Sequence, residues 1–238
     1  MSTLIVARNI RKTHVSRGFF GRKQHAALLG VDLEIGYAEW VVLAGRSGCG
    51  KTALARILAG LEAADEGEVQ LDGEPVSAPR LRRRVAWIPQ DPGRSLSPRF
   101  TAQEAISEPV EIQGLPRERI LAASQLAGLE QALLGKRVTE LSGGQRARVA
   151  IARALTVQPA LLILDESLAG LDIELQTQIL TALRALPSLA CLFIAHEVGP
   201  IEQLNGRIVL MDAGLIVGPG SAAWTEWQAA RIDAGGAA

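Results

Sequence analysis

The chain has 238 residues, and its 25 Lys and Arg balance 25 Asp and Glu. Zero net charge leaves no basic surplus for gripping nucleic acid through its phosphates or for lying on an anionic bilayer. With 48% hydrophobic and 21% charged residues, the composition is that of a packed globular domain and too apolar for a disordered chain.

The longest apolar runs, Ala160–Leu164 and Leu189–Ala195, fall well short of the roughly 20 residues a membrane-spanning helix needs. Met1–Ile10 lacks the pattern of a secretory signal, so the expected location is the cytoplasm. Two cysteines, Cys49 and Cys191, are too few for a disulfide scaffold and lack metal-ligand spacing. His14, His25 and His196 do not form a ligand cluster in the sequence either.

In chain order, strands are expected at Leu4–Ala7, Ala26–Leu33, Trp40–Ala44, Val85–Ile88, Leu161–Leu164, Leu192–Ala195 and Ile208–Met211. Small antiparallel additions are expected at Gly67–Gly73 and at Arg207–Met211 with Leu215–Val217. Trp40–Ala44 runs into Gly45-Arg46-Ser47-Gly48-Cys49-Gly50-Lys51-Thr52, which matches G-x-x-x-x-G-K-[ST], and the helical stretch Ala53–Ala59 follows. The glycines let backbone N–H groups approach phosphates and the helix presents its positive end. Lys51 would reach the β- and γ-phosphates, and the Thr52 hydroxyl would ligate Mg²⁺. The basic run Arg82-Arg83-Arg84 reads as a solvated surface before the next strand.

From Asp91 to Glu140 there are four prolines and helix-like runs at Ala102–Ile112 and Arg117–Leu129, but no convincing strand, which suggests a helical lobe inserted into an α/β core. The helix Arg146–Leu155 follows, preceded by Leu141-Ser142-Gly143-Gly144-Gln145; a serine and two glycines at a helix start make a second anion site, one that could serve a partner's nucleotide. Leu161–Leu164 ends in Asp165, placed to hold Mg²⁺ through water. On an extended chain Glu166 would face the other way and orient a water at the γ-phosphate. Leu175, Ile179, Leu183 and Leu186 mark one apolar helix face. Trp224 and Trp227 would pack a short C-terminal helix against the core.

The phosphate loop together with an unsubstituted LSGGQ resembles the ATP-binding-cassette (ABC) ATPases, and the resemblance runs along essentially the whole chain. It implies an α/β fold: a P-loop NTPase core with a mostly parallel, RecA-like sheet, an antiparallel β subdomain and an inserted α-helical subdomain. The expected division is 1–90 for antiparallel β and P-loop core, 91–157 for the helical signature subdomain and 158–238 for the rest of the core with a C-terminal hairpin and helix. The resemblance also implies roles for further residues. Gln90 would contact Mg²⁺ and water, His196 would sense the γ-phosphate, and Asp172, in Ser167–Asp172, would sit at a dimer interface. His14 takes the place of the residue that stacks on adenine, usually Tyr, with Phe19 and Phe20 as nearby alternatives.

Gln90–Arg99 followed by Glu108-Pro109 resembles the nickel and peptide importer branch, with Ser97 where Asn is usual. The Gly45–Gly50 variant and the insertion Arg17–His25 are most similar to the second ATPase subunit of nickel importers. The resemblance implies an ATP- and Mg²⁺-dependent ATPase powering import of nickel or a metal chelate from the cytoplasmic face of the cell membrane. A peptide importer and a non-transport regulator stand as alternatives. Implied partners are a second ATPase subunit, paralogue or identical copy, two integral membrane permease subunits and indirectly a substrate-binding protein, with no nucleic acid.

Overall fold

A computed structural model describes residues 2–18, 21–168, 171–195 and 206–233. The chain divides into two compact units, one made of 1–82 and 192–238, the other of 83–191.

In the first unit, β1 (Thr3–Gly18) and β2 (Gly21–Gly36) form a long antiparallel ribbon, to which β4 (Glu66–Leu71) and β5 (Glu74–Pro75) add in the order β2-β1-β4-β5. Residues 31–35 of β2 alternate strictly between buried Val31, Leu33 and Ile35 and exposed Asp32 and Glu34, as a sheet with one face on a core demands. The register slips between Ala7 and Ile10, where Asn9 turns to φ 47 and its N–H donates to Asp32 Oδ1 at 2.8 Å. β3 (Trp40–Ala44) is buried throughout and pairs parallel with β9 (Arg207–Asp212), which turns back antiparallel into β10 (Leu215–Val217). The Trp40 and Phe193 rings meet with centroids 4.9 Å apart. The phosphate-loop helix α1 (Lys51–Leu58) follows β3. In helix α2 (Ala78–Arg84), Arg82 and Arg83 are exposed, as a solvated run would be, and the Arg82 guanidinium also donates to Gly60 O at 2.9 Å.

The second unit holds β6 (Val85–Ile88), parallel to β7 (Leu161–Asp165), and the start of β8 (Ala190–Ala195), where Ala190 N donates to Ala160 O. Between β6 and β7 lie α3 (Ala102–Gln113), α4 (Glu118–Leu126) and α5 (Gly143–Thr156), with one short 3₁₀ turn before α3 and two between α4 and α5. Thr101 and Glu104 close a capping box at the start of α3, and Gly114 ends it in the left-handed conformation. After β7, α6 (Ile173–Arg184) buries Ile179, Leu180 and Leu183, while Leu175 is half-buried and Leu186 lies past the helix end. The C-terminal helix α7 (Ala222–Asp233), in the first unit, stacks half-buried Trp224 on Trp227 at 5.8 Å. No helix among the described residues is long and apolar enough to cross a membrane.

Candidate functional site

β3 stops at Ala44 and α1 starts at Lys51, leaving Gly45–Gly50 as the loop. A Cβ on Gly45 would stand 2.2 Å from Met211 O, and one on Gly50 2.4 Å from Ala27 O, so the loop's backbone is packed directly on its neighbours. The α1 N-terminus has no side-chain cap and no acidic residue in its first turn, which leaves its N–H groups and dipole available to an anion. Lys51 is only 5% exposed, and its ammonium donates to Gly45 O at 2.7 Å and Arg46 O at 3.0 Å, closing over its own loop. Ser47 and Gly48 at the tip, and Thr52 in the first helical turn, are exposed. Cys49 is buried 3.9 Å from Lys51 Nζ; burial pushes its thiol pKa up, and the lysine charge opposes this.

His14 lies on β1, half exposed, with Nε2 2.9 Å from Glu62 Oε1. The residues before it are tied to the same acidic stretch: Lys12 Nζ donates to Asp65 Oδ1 at 2.9 Å and to Ala63 O at 2.7 Å, and Thr13 N donates to Asp65 Oδ2 at 2.6 Å. Phe19 and Phe20 lie outside the described residues.

In the second unit, Asp165 ends β7 at 3% exposure. The expectation that Glu166 faces away by the pleat of an extended strand is corrected here. Glu166 has left the strand for φ 53, a conformation costly for a residue with a Cβ, so a backbone turn redirects its carboxylate. That carboxylate accepts from Gln90 Nε2 at 3.0 Å, which brings together two of the residues expected in the site.

Ser142 caps α5: its Oγ accepts from Gln145 N at 3.2 Å while Gln145 Oε1 accepts from Ser142 N at 3.0 Å. Leu141 is buried, and its carbonyl accepts from Arg146 Nη1 at 2.7 Å. Gly143 has open space where a Cβ would be, and Gly144 would meet only the Leu171 side chain, at 3.2 Å. Asp172 caps α6 through Leu175 N at 2.8 Å. His196 lies outside the described residues, as do Ala169 and Gly170.

Two residues that sequence reading passed over stand out. Glu62 is 48 residues from His14, and no local pattern could pair them. Arg153 of α5 donates to Ser95 O at 2.9 Å and Ser95 Oγ at 3.4 Å and faces Glu108 at 3.7 Å, anchoring the turn just after Gln90 to the helix that Ser142 begins. Burial pulls its guanidinium pKa down, and Glu108 opposes the shift.

The ABC transporter family matches residues 28–169. The nickel import ATP-binding protein NikE of Escherichia coli strain K12 is 39% identical over 230 residues, covering 90% of this chain and 86% of that protein. A dimeric ATP-binding cassette in a post-hydrolysis state bound to ADP and Pi superposes with a TM-score of 0.78 at 26% identity, over 90% of this chain and 96% of that one. A Clostridium perfringens component of the ABC transporter complex cbiONQ shares the fold, with a TM-score of 0.77 at 23% identity, over 98% and 94% of the two chains. The chain belongs to the ABC transporter family and is an ATP-hydrolysing member of it.

Proposed function

We propose that this ATPase drives a nickel importer from the cytoplasmic face of the cell membrane, paired with a second ATPase subunit and docked on two permease subunits that a substrate-binding protein feeds. The likeness to nickel import ATP-binding proteins across nine-tenths of the chain carries this reading. The substrate is handled by the permeases and the binding protein, so the chain itself supplies only the ATP cycle.

In that cycle the ATP phosphates rest on Gly45–Thr52, whose uncapped helix start and enclosed lysine suit a polyanion. His14 takes the purine. Thr52, Gln90 and Asp165 offer hydroxyl, amide and carboxylate oxygens, a hard donor set that suits Mg²⁺, with Asp165 acting through water. Bound there, the ion would neutralise charge between the β- and γ-phosphates. Glu166, oriented by Gln90, accepts the proton of the attacking water, and His196 contacts the γ-phosphate. Leu141–Gln145 and Asp172 face the partner cassette, where Ser142, Gly143 and Gly144 complete the partner's nucleotide site. Positioning and charge stabilisation are the protein's contribution.

The test of the transport reading is uptake of radioactive nickel and of a dipeptide in a strain lacking this gene. Loss of nickel uptake is expected; loss of dipeptide uptake with nickel untouched overturns the assignment in favour of a peptide importer. For the cycle, Glu166→Gln should keep ATP binding and lose at least about 100-fold in hydrolysis. Near-normal turnover by a pure sample rules out Glu166 as the base.

A further inference from the structure

The base end of the nucleotide site is built differently from its phosphate end. His14 projects from an exposed part of the β1–β2 ribbon, opposite His25, and a half-exposed imidazole on a strand has rotamers to lose before it can stack on anything. Glu62 removes that freedom. A carboxylate can only accept, so the ring donates from Nε2 to Glu62 Oε1 at 2.9 Å.

Glu62 is itself fixed. Its backbone N–H and that of Leu61 both donate to Arg56 O in the last turn of α1, at 3.2 and 2.8 Å. Its carboxylate also faces Arg56 Nε at 3.4 Å and Lys12 Nζ at 3.6 Å, and the side chain is 19% exposed. Lys12 is held in turn by Asp65. The carboxylate therefore has three basic neighbours from β1 and α1 and no visible reason to wander.

The consequence reaches the phosphates. The helix whose C-terminal turn anchors Glu62 is the one that begins at Lys51, so His14 is tied through a single side chain to the element that carries the phosphate loop.

We propose that Glu62 is a positioning residue for ATP: it locks the His14 imidazole in one orientation and sets the ring at a fixed offset from the phosphate loop. The proposal rests on His14 being the residue that stacks on the purine. Tyr in that place would need no such partner, since a phenol ring stacks without a carboxylate to orient it. The Glu62 contact is what allows the smaller imidazole to serve.

The experiment is steady-state ATPase of the full chain, read as KM for ATP and kcat separately, with thermal unfolding alongside. Glu62→Ala should raise KM about three- to tenfold, part of what a base–aromatic stack is worth, and leave kcat within about twofold. Glu62→Gln, which keeps an accepting oxygen, should stay near the parent KM. His14→Tyr added to Glu62→Ala should restore KM without restoring the melting temperature, an outcome that mere stabilisation of the turn by Glu62 would not produce. Failure of that rescue overturns the proposal. So does an unchanged KM in Glu62→Ala when His14→Ala alone raises it fivefold or more, a result that leaves the stacking role of His14 standing. An unchanged KM in His14→Ala removes the stacking role, and the proposal with it.

Discussion

The chain contains two glycine-bearing loops that each open a helix, and they are made in opposite ways. At Gly45–Gly50 the backbone is wedged against neighbouring strands, the glycines lie at positive φ, and α1 starts without a cap. At Ser142–Gly144 the helix is capped from both directions, and Gly143 faces open space. The first loop needs glycine to exist at all. At the second, a Cβ on Gly143 would meet nothing within 4 Å and one on Gly144 only the Leu171 side chain. One site is a nest formed by its own fold; the other is a finished helix end with a cleared approach.

That contrast is open to direct attack. Gly45→Ala forces a Cβ to within 2.2 Å of Met211 O, so it should cost more than about 3 kcal/mol and abolish ATP binding. Gly143→Ala should leave stability within about 0.5 kcal/mol, because nothing lies in the way, and ATPase should fall by about tenfold through the paired cassette's site. Thermal unfolding and ATP binding measured on both variants decide the matter; equal damage from the two would erase the distinction.

Next in size is Arg153→Met, which strips Ser95 and Glu108 of a half-buried partner and should destabilise the second unit by about 2 kcal/mol. Hydrogen exchange should locate the loosening at the Pro92–Ser95 turn, with slower hydrolysis because Gln90 lies two residues before that segment. Exchange spread evenly over the unit would argue against a local clamp. Smaller again, Ser142→Ala should lose about 1 kcal/mol by leaving Gln145 N without its acceptor, and Ser142→Gly should lose only a few tenths. α1 has no such side-chain bond to remove.

Both loops were legible in the sequence because their signals are local: glycine spacing, a strand before, a helix after. The strand at Trp40–Ala44 and the hairpin strand at Leu215–Val217 match to the residue, since buried apolar runs bounded by turn residues leave little choice. β1 and β2 run further than their apolar runs suggest, because their outer halves are polar in sequence and pair with each other. The strand alternation expected at Glu166 fails for a related reason. Strand pleat predicts alternation only while the strand lasts, and nothing in the pair Asp165-Glu166 reveals that the backbone turns left-handed between them. Glu62 and Arg153 were invisible because their partners lie 48 and 58 residues away, and a single sequence carries no mark of such pairs.

The smallest expected effect concerns acid, and it again separates the two units by construction. In the first, Glu39 accepts from Arg207 Nε at 2.6 Å and from Gly36 N at 2.6 Å, just before β3 and at the start of β9, the end of the sheet away from the phosphate loop. Burial alone would raise the Glu39 pKa; the Arg207 and Gly36 hydrogen bonds outweigh it, and the net shift is downward. In the second unit Glu104 is lowered too, held by Thr101 N and the Thr101 hydroxyl in the exposed cap of α3. For both, the folded pKa lies below the unfolded one, so their contribution is complete above the unfolded value, about 4.3 for Glu, and disappears as pH falls through the folded value. Glu39→Gln should therefore cost no more than about 1 kcal/mol at pH 7, given how exposed Arg207 is, and the gap between variant and parent should close below pH 4. Urea melts at pH 7 and at about pH 2.5, well below the folded pKa, measure it. A gap that persists at low pH would mean that Glu39 acts by packing and not through its charge, and would leave the capping box of α3 as the acid-sensitive device of the pair.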